Sequence, residues 1–188
     1  MYNIAIFASG SGSNAENIIR YFQNHQQIHI RLILANNADA FVLERAKNLH
    51  VPAVVFSKND FYKSTIVEDK LNQFEIDFIV LAGFLWLIPV SIIQAYPNKI
   101  INIHPALLPK YGGKGMYGSR VHEAVKVAGE KETGITIHYV NENYDDGNII
   151  FQAKCAVNIS DTPDSIAKKV HQLEYELFPK IIEQVLLI

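Results

Sequence analysis

The chain has 188 residues and only one cysteine, Cys155, so no internal disulfide can form and nothing calls for an oxidising compartment. No apolar run approaches the ~20 residues that a membrane span needs. The stretch Met1–Ser9 is apolar but short, and it has no basic flank of the kind that opens a secretion signal. A surplus of positive charge is missing as well. Seventeen Lys and Arg against 19 Asp and Glu leave a formal charge of −2, with no dense basic run, which argues against a nucleic-acid partner. His25, His122 and His138 stand without the cysteine or carboxylate spacing of a zinc site, so no metal is expected and these three receive only a structural reading. Neither a Gly-x-Ser-x-Gly elbow nor a cysteine motif offers a covalent nucleophile. These absences lead us to expect a soluble, cytoplasmic protein that acts on small molecules away from membranes.

What is present is a supply of core. At 49% hydrophobic residues, the length fits one domain covering residues 1–188. Short apolar runs at Asn3–Ala8, Ile28–Ala35, Ala53–Phe56, Phe78–Leu81 and Ile100–Ile103 read as buried strands. Between them, amphipathic spacing predicts helices over Asn14–Asn24, Ala40–Leu49 (with Asp39 as N-cap), Phe61–Phe74 and a stretch after Pro89. This alternation defines an α/β fold, a doubly wound and mostly parallel sheet of Rossmann-like type. Later the pattern changes. A loop with four glycines between Gly112 and Gly118 leads to a helix over Ser119–Val127. Gly134–Val140 and Ile149–Val157, joined by the turn-rich Asn141–Asn148, should then pair antiparallel. Thr162-Pro163 opens a last long helix.

Three places can carry chemistry. The turn Ser9-Gly10-Ser11-Gly12-Ser13-Asn14 leaves the first strand and enters the first helix, where free N–H groups and the helix dipole favour an anion. Gly10-x-Gly12-x-x-Ala15 matches the dinucleotide fingerprint only superficially. The second strand ends in Ala35-Asn36-Asn37, without the acid that would hold a ribose, so a single phosphate suits the loop better than NAD. The second place is Asn102-Ile103-His104-Pro105. A period of two puts Asn102 and His104 on one side of a strand, at the carboxyl end where open α/β sheets bind ligands. Asn can donate to an oxyanion, and His can move a proton near neutrality. The third is Tyr144-Asp145-Asp146-Gly147. It is either a plain Asp-Gly turn or a loop folded over His104, where a carboxylate would raise the histidine pKa.

Taken together, Ser9-Gly10-Ser11-Gly12-Ser13-Asn14, Leu81-Ala82-Gly83-Phe84, Asn102-Ile103-His104-Pro105-Ala106-Leu107-Leu108-Pro109 and Asp145-Asp146-Gly147 resemble, over essentially the whole chain, the folate-dependent phosphoribosylglycinamide formyltransferase family. That resemblance implies transfer of a formyl group from the co-substrate 10-formyltetrahydrofolate to the amine of glycinamide ribonucleotide, in purine biosynthesis. Asn102, His104 and Asp145 correspond to the catalytic trio, with His104 protonated. Gly12, Ser13 and Asn14 correspond to the phosphate cradle. On the last helix, Glu174 matches the ribose contact, and His171 lies near the phosphate one turn earlier. The backbone of Leu85, Trp86, Leu87 and Ile88, with Asn141, Glu142, Asn143 and Tyr144, would line the folate pocket. Trp86 stands where many relatives carry a basic side chain. The loop Lys110–Arg120 is longer and richer in glycine than in the family's shorter members, and it is assigned no site. Related methionyl-tRNA formyltransferases carry a further carboxyl-terminal domain and a basic tRNA surface. Related deformylases usually carry an extra amino-terminal domain, whereas this phosphate loop begins within ten residues of Met1. The implied partners are the two small substrates, with monomer and homodimer both left open.

Overall fold

A computed structural model of the chain describes residues 1–187. Seven strands form one sheet: β1 (Tyr2–Ala8), β2 (Ile28–Ala35), β3 (Ala53–Val55), β4 (Phe78–Leu81), β5 (Ile100–His104), β6 (Glu132–Tyr139) and β7 (Ile149–Ala156). Their order is β3-β2-β1-β4-β5-β6-β7. The pairs from β3 to β5 are parallel, while β5–β6 and β6–β7 are antiparallel. This is the mostly parallel sheet with antiparallel late strands that the hydrophobic pattern implies. After β3 the chain crosses back to pair β4 with β1, so the strand order reverses at β1/β4. Loops leaving the two strands there diverge and open a crevice at their carboxyl ends.

Strand alternation sorts the core into two layers. Ile4, Ile6, Ile33, Val80, Ile101 and Ile137 face the layer that holds α1 (Ser13–Phe22), α2 (Val42–Asn48) and α7 (Pro163–Leu187). Ala5, Phe7, Leu32, Leu34 and Ile79 face the layer that holds α3 (Lys58–Tyr62), α4 (Ile66–Gln73) and α5 (Val90–Ala95). On β5 and β6 only the first of these faces stays apolar. The other carries Asn102 and His104 beside Thr136 and His138, and β5–β6 pairing sets Asn102 opposite His138 and His104 opposite Thr136. Polar side chains here mark the part of the sheet that loops cover in place of helices.

Two local expectations need correction. Asp39 does not cap α2. The asparagine turn before it uses Asn37 Oδ1 to accept the Asp39 N–H at 3.0 Å, and the helix begins later with Phe41 at the N-cap. The expected helix over Phe61–Phe74 is two helices. A capping box between Ser57 and Asp60 starts α3 early, and the chain breaks at Lys63–Thr65 before α4 begins. The apolar residues Phe61, Val67 and Leu71 all face one core, so their spacing concealed the break.

The segment between β5 and α6 (Ser119–Val127) is anchored from beneath by Thr136, which is fully buried. Its Oγ1 donates to the Ala106 carbonyl at 2.7 Å and accepts the Leu108 N–H and the Gln152 Nε2–H at 2.9 Å each. The isosteric change Thr136→Val keeps the shape but strips these partners, leaving buried groups unpaired at a cost of about 1–3 kcal/mol. Thermal unfolding should show Tm lower by roughly 2–4 °C per kcal/mol for a chain of this size. An unchanged Tm would mean that this network does not hold the segment.

Candidate active site

A cleft of about 700 Å³ lies along the carboxyl edge of β1, β4 and β5. One end is the turn Ser9–Asn14. Gly12 N-caps α1 with φ +71°, and no described side chain caps the helix, so its first-turn N–H groups are left without intrahelical partners. Only glycine suits the position. A Cβ there would lie 2.4 Å from the Val42 side chain, in a backbone region that L-residues rarely adopt. The loop is held from both sides: Val42 N–H donates to the Gly10 carbonyl at 3.1 Å, and Leu85 N–H donates to Ser9 Oγ at 3.0 Å.

At this end α7 supplies Glu174, only 4% exposed despite its charge. Its Oε2 accepts Asn14 Nδ2–H at 2.9 Å and His171 Nδ1–H at 2.8 Å. Gly12, Ser13, Asn14, His171 and Glu174 therefore meet as one cluster, although up to 162 positions separate them in the chain. The bond to Glu174 raises the His171 pKa above its ordinary value, against the opposing pull of burial, and favours a positive ring beside the helix start.

In the middle of the cleft the loop after β6 folds over β5. Asp145, with φ +53°, directs its carboxylate towards two donors, Asn102 and Gly113, and between two imidazoles. Oδ2 accepts the Gly113 N–H at 2.9 Å and lies 3.5 Å from His104 Nδ1; Oδ1 accepts from Asn102 Nδ2 at 3.4 Å and lies 3.7 Å from His138 Nε2. Asn102, His104 and Asp145 thus converge from distant segments. The glycine-rich loop, to which no site was assigned, reaches this point through Gly113 and lines the cleft onward to Gly118.

Hydrogen bonds to backbone carbonyls, which can only accept, assign the ring tautomers. His104 Nε2–H donates to the Tyr111 carbonyl at 2.7 Å, leaving Nδ1 towards Asp145. His138 Nδ1–H donates to the Tyr139 carbonyl at 2.8 Å, so its Nε2 accepts from Asn102 Nδ2 at 3.1 Å. Burial dominates the His104 pKa and pulls it below the ordinary value; the nearby Asp145 charge and the Tyr111 carbonyl oppose this and lose. Asp145 does raise it, as expected, but burial outweighs that, so the expectation of a protonated His104 is corrected: the resting imidazole is neutral. Burial would push the Asp145 carboxyl up, but His138, His104 and the Gly113 N–H outweigh that and hold it low. At neutral pH the centre therefore holds an ionised carboxylate beside a neutral base.

The expected folate-lining residues are only partly assembled. Leu85 and Tyr144 line the cleft, while Trp86, Leu87, Ile88, Asn141, Glu142 and Asn143 do not. Trp86 packs edge-on to Phe56 at 6.0 Å within an aromatic cluster, and Lys58 sits over its outer face. The Leu87 carbonyl accepts Tyr62 Oη–H at 2.9 Å, and Ile88 is 3% exposed in the core. Asn141 and Asn143 turn back to Asp146 Oδ2 within their own loop. His122 and His138, given only a structural reading, lie close by: His122 lines the cleft, and His138 meets Asn102 and lies near Asp145. His138 was findable, since antiparallel pairing places it across from Asn102. Among the described residues no group of His, Cys, Asp and Glu could hold a metal ion, and no helix is long and apolar enough to cross a membrane.

Comparison with known proteins gives the class first. Residues 2–182 match the family model described as formyl transferase. The chain is 38% identical to phosphoribosylglycinamide formyltransferase of Bacillus subtilis, covering 99% of this chain and 95% of that protein. It is 40% and 38% identical to the chloroplastic proteins of that name from Arabidopsis thaliana and Vigna unguiculata, and spans 63% and 59% of their lengths. The crystal structure of phosphoribosylglycinamide formyltransferase from Bacillus halodurans superposes with a TM-score of 0.88 at 35% identity, covering 98% of this chain and 95% of that one. The chain belongs to the phosphoribosylglycinamide formyltransferase family.

The charge on His171 can be read directly at the anion end. Its raised pKa means that the imidazolium is present below about pH 6.5 and is lost as pH rises through the shifted value. Sulfate, whose charge is constant over this range, should bind roughly two- to fivefold more weakly across that rise, the scale of a half-exposed ion pair. In His171→Gln the sulfate affinity should be flat with pH. Calorimetric titration checks both, and an equal slope in the variant would remove His171 from the anion site.

Proposed function

We propose that this chain transfers the formyl group of 10-formyltetrahydrofolate directly to the amine of glycinamide ribonucleotide, a step of purine biosynthesis in the cytoplasm. The observation that carries the reading is the single cleft in which an amide, a neutral imidazole and a partly buried carboxylate lie along from an open helix N-terminus. Binding alone does not need the first three, and a substrate without an anion does not need the last. The volume falls in the range of small-molecule sites. Exposed Leu85 and Tyr144 at its rim suit a flat heterocycle, the shape of the folate head.

The chemistry follows from the resting protonation states. The N–H groups of Gly12, Ser13 and Asn14 hold the substrate phosphate, with His171 beside them. The sugar lies along Glu174, and the amine comes to rest near His104. As the amine nitrogen bonds to the formyl carbon, charge grows on the formyl oxygen. The Asn102 N–H that reaches Asp145 only at 3.4 Å is the one free to turn to that oxygen, and a donor of this kind is worth about 10²–10³ in rate. His104 Nδ1 takes the proton that the amine sheds, and Asp145 stabilises the imidazolium so formed. That proton then passes to the folate nitrogen as its bond to the formyl carbon breaks. The balance is one C–N bond formed, one broken and one proton moved. No covalent enzyme intermediate and no metal is used, and much of the acceleration comes from holding two substrates together.

Spectroscopic detection of tetrahydrofolate release tests this. Product should appear with glycinamide ribonucleotide present, and not with water or initiator tRNA in its place. His104→Ala should lower kcat by about 10²–10⁴. In the wild type, turnover should fall on the acid side as pH drops through the depressed His104 pKa. Asp145→Asn removes the charge that holds that pKa up, so its residual activity should have an acid limb moved to lower pH. Near-normal turnover in His104→Ala would eliminate the proposed base.

A further inference from the structure

We propose that His122 is a second contact for the sugar of the phosphorylated substrate, taking one of its vicinal hydroxyls while Glu174 takes the other. This deepens the proposed function and rests on it. His122 lies on the second turn of α6, only 3% exposed. Its neighbours Val121 and Val125 fill the core, whereas the imidazole lines the cleft opposite α7, with its ring centroid 6.4 Å from that of His171.

Three polar atoms at this end of the cleft are left over. His122 Nδ1 and Asn14 Oδ1 are buried and have no hydrogen-bond partner among the described residues. The Asn14 assignment is firm, because Glu174 Oε2 can only accept and therefore faces the amide nitrogen. Glu174 Oε1 also accepts no hydrogen bond from the described residues. Leaving the two buried atoms, His122 Nδ1 and Asn14 Oδ1, unpaired costs about 1–3 kcal/mol each, and folded proteins rarely keep such groups without a use. Of the four orphaned atoms in the described residues, the two outside this cluster, Asn36 Oδ1 and Thr133 Oγ1, do not line the cleft.

The donor set identifies the occupant. Burial depresses the His122 pKa, with the neighbouring His171 and His104 adding to the effect and Glu174 opposing it, so the ring is neutral. A neutral imidazole, an amide oxygen and a carboxylate oxygen make a poor anion site, since the carboxylate repels phosphate and the amide oxygen has no proton to give. They suit a pair of hydroxyls, which can donate to the amide and carboxylate oxygens and share one further hydrogen bond with the imidazole nitrogen. A phosphate on the Gly12–Asn14 turn would carry its own sugar onto this cluster. The orphaned Asn14 and His122 atoms then gain partners only when a ribose is bound.

The test is steady-state kinetics on His122→Leu and His122→Asn, with glycinamide ribonucleotide and its 2′-deoxy analogue as substrates. Loss of one neutral hydrogen bond is worth up to about tenfold. His122→Leu should raise KM for the ribonucleotide by about that factor, with kcat within twofold of wild type. It should also erase the wild type's preference for the ribonucleotide over the deoxy analogue. Asn, whose amide can stand in for Nδ1, should restore most of both. Unchanged KM and unchanged deoxy discrimination in folded His122→Leu would overturn the proposal, as would a fall in its kcat with KM intact. If His122→Leu does not fold, His122→Phe is read by the same two criteria. If the wild type shows no turnover with glycinamide ribonucleotide, the proposed function fails by itself. Calorimetry with ribose 5-phosphate against 2-deoxyribose 5-phosphate then tests His122 independently, and equal affinities in wild type and variant would sink it.

Discussion

The site depends on one partly buried carboxylate, that of Asp145. Asp145 sits in a loop whose conformation is unfavourable for a non-glycine residue, and the donors around its two oxygens offset that cost. The groups around it come from three parts of the chain. Asn102 and His104 come from the last parallel strand, His138 from the strand paired to it, and Gly113 from the glycine-rich loop. Gly112 beside it admits the approach, since a Cβ there would come within 3.2 Å of Asp145 Cβ and 2.5 Å of the Leu108 side chain. The carboxylate thus collects three segments that would otherwise have no reason to meet, and its ionised form is the one that the Asn102 and Gly113 donors select.

The sheet supplies the rest by dividing labour between its two faces. A doubly wound sheet is buried on both sides wherever helices cover it, and β4 together with Ile4–Ala8 of β1 and Leu32–Ala35 of β2 is apolar throughout in consequence. At β5 and β6 the second layer of helices runs out. One face remains apolar against α7, and the other can carry polar side chains without burying them against hydrocarbon. Chemistry sits at this seam because only there can ionisable groups be both shielded and reachable. The reversal of strand order at β1/β4 places the helix start of α1 at the same edge, so an anion site and a proton-transfer site share one cleft.

Much of this was legible in the sequence, and the reasons for what was not are specific. Alternating apolar runs revealed the sheet, because full burial leaves a strong signature, and a period of two put Asn102 and His104 on one side. The α3–α4 break was hidden because both short helices serve the same core and so preserve the spacing of a single helix. His138 and His122 escaped notice for a different reason. The partner of His138 lies 36 positions away at Asn102, the ring beside His122 lies 49 positions away at His171, and no local pattern distinguishes a histidine that faces a cleft from one that faces a core. The glycine-rich loop was unreadable because its contribution is a backbone N–H, which any residue possesses.

The protonation state of His104 shows where reasoning from proximity fails. A carboxylate beside an imidazole suggests an ion pair, and that inference holds at a solvated surface. Inside the cleft, removing the ring from water penalises its charge by more than Asp145 at 3.5 Å recovers. The Tyr111 carbonyl completes the effect by claiming the one proton that a neutral ring has, so the free lone pair is turned to where a proton would arrive. Burial therefore creates a base where exposure would have left a spent acid. The same carboxylate that cannot charge the ring at rest is in place to stabilise it once charged. A group that is neutral before the reaction and paired after it binds the later state better, which is the condition a catalyst must meet.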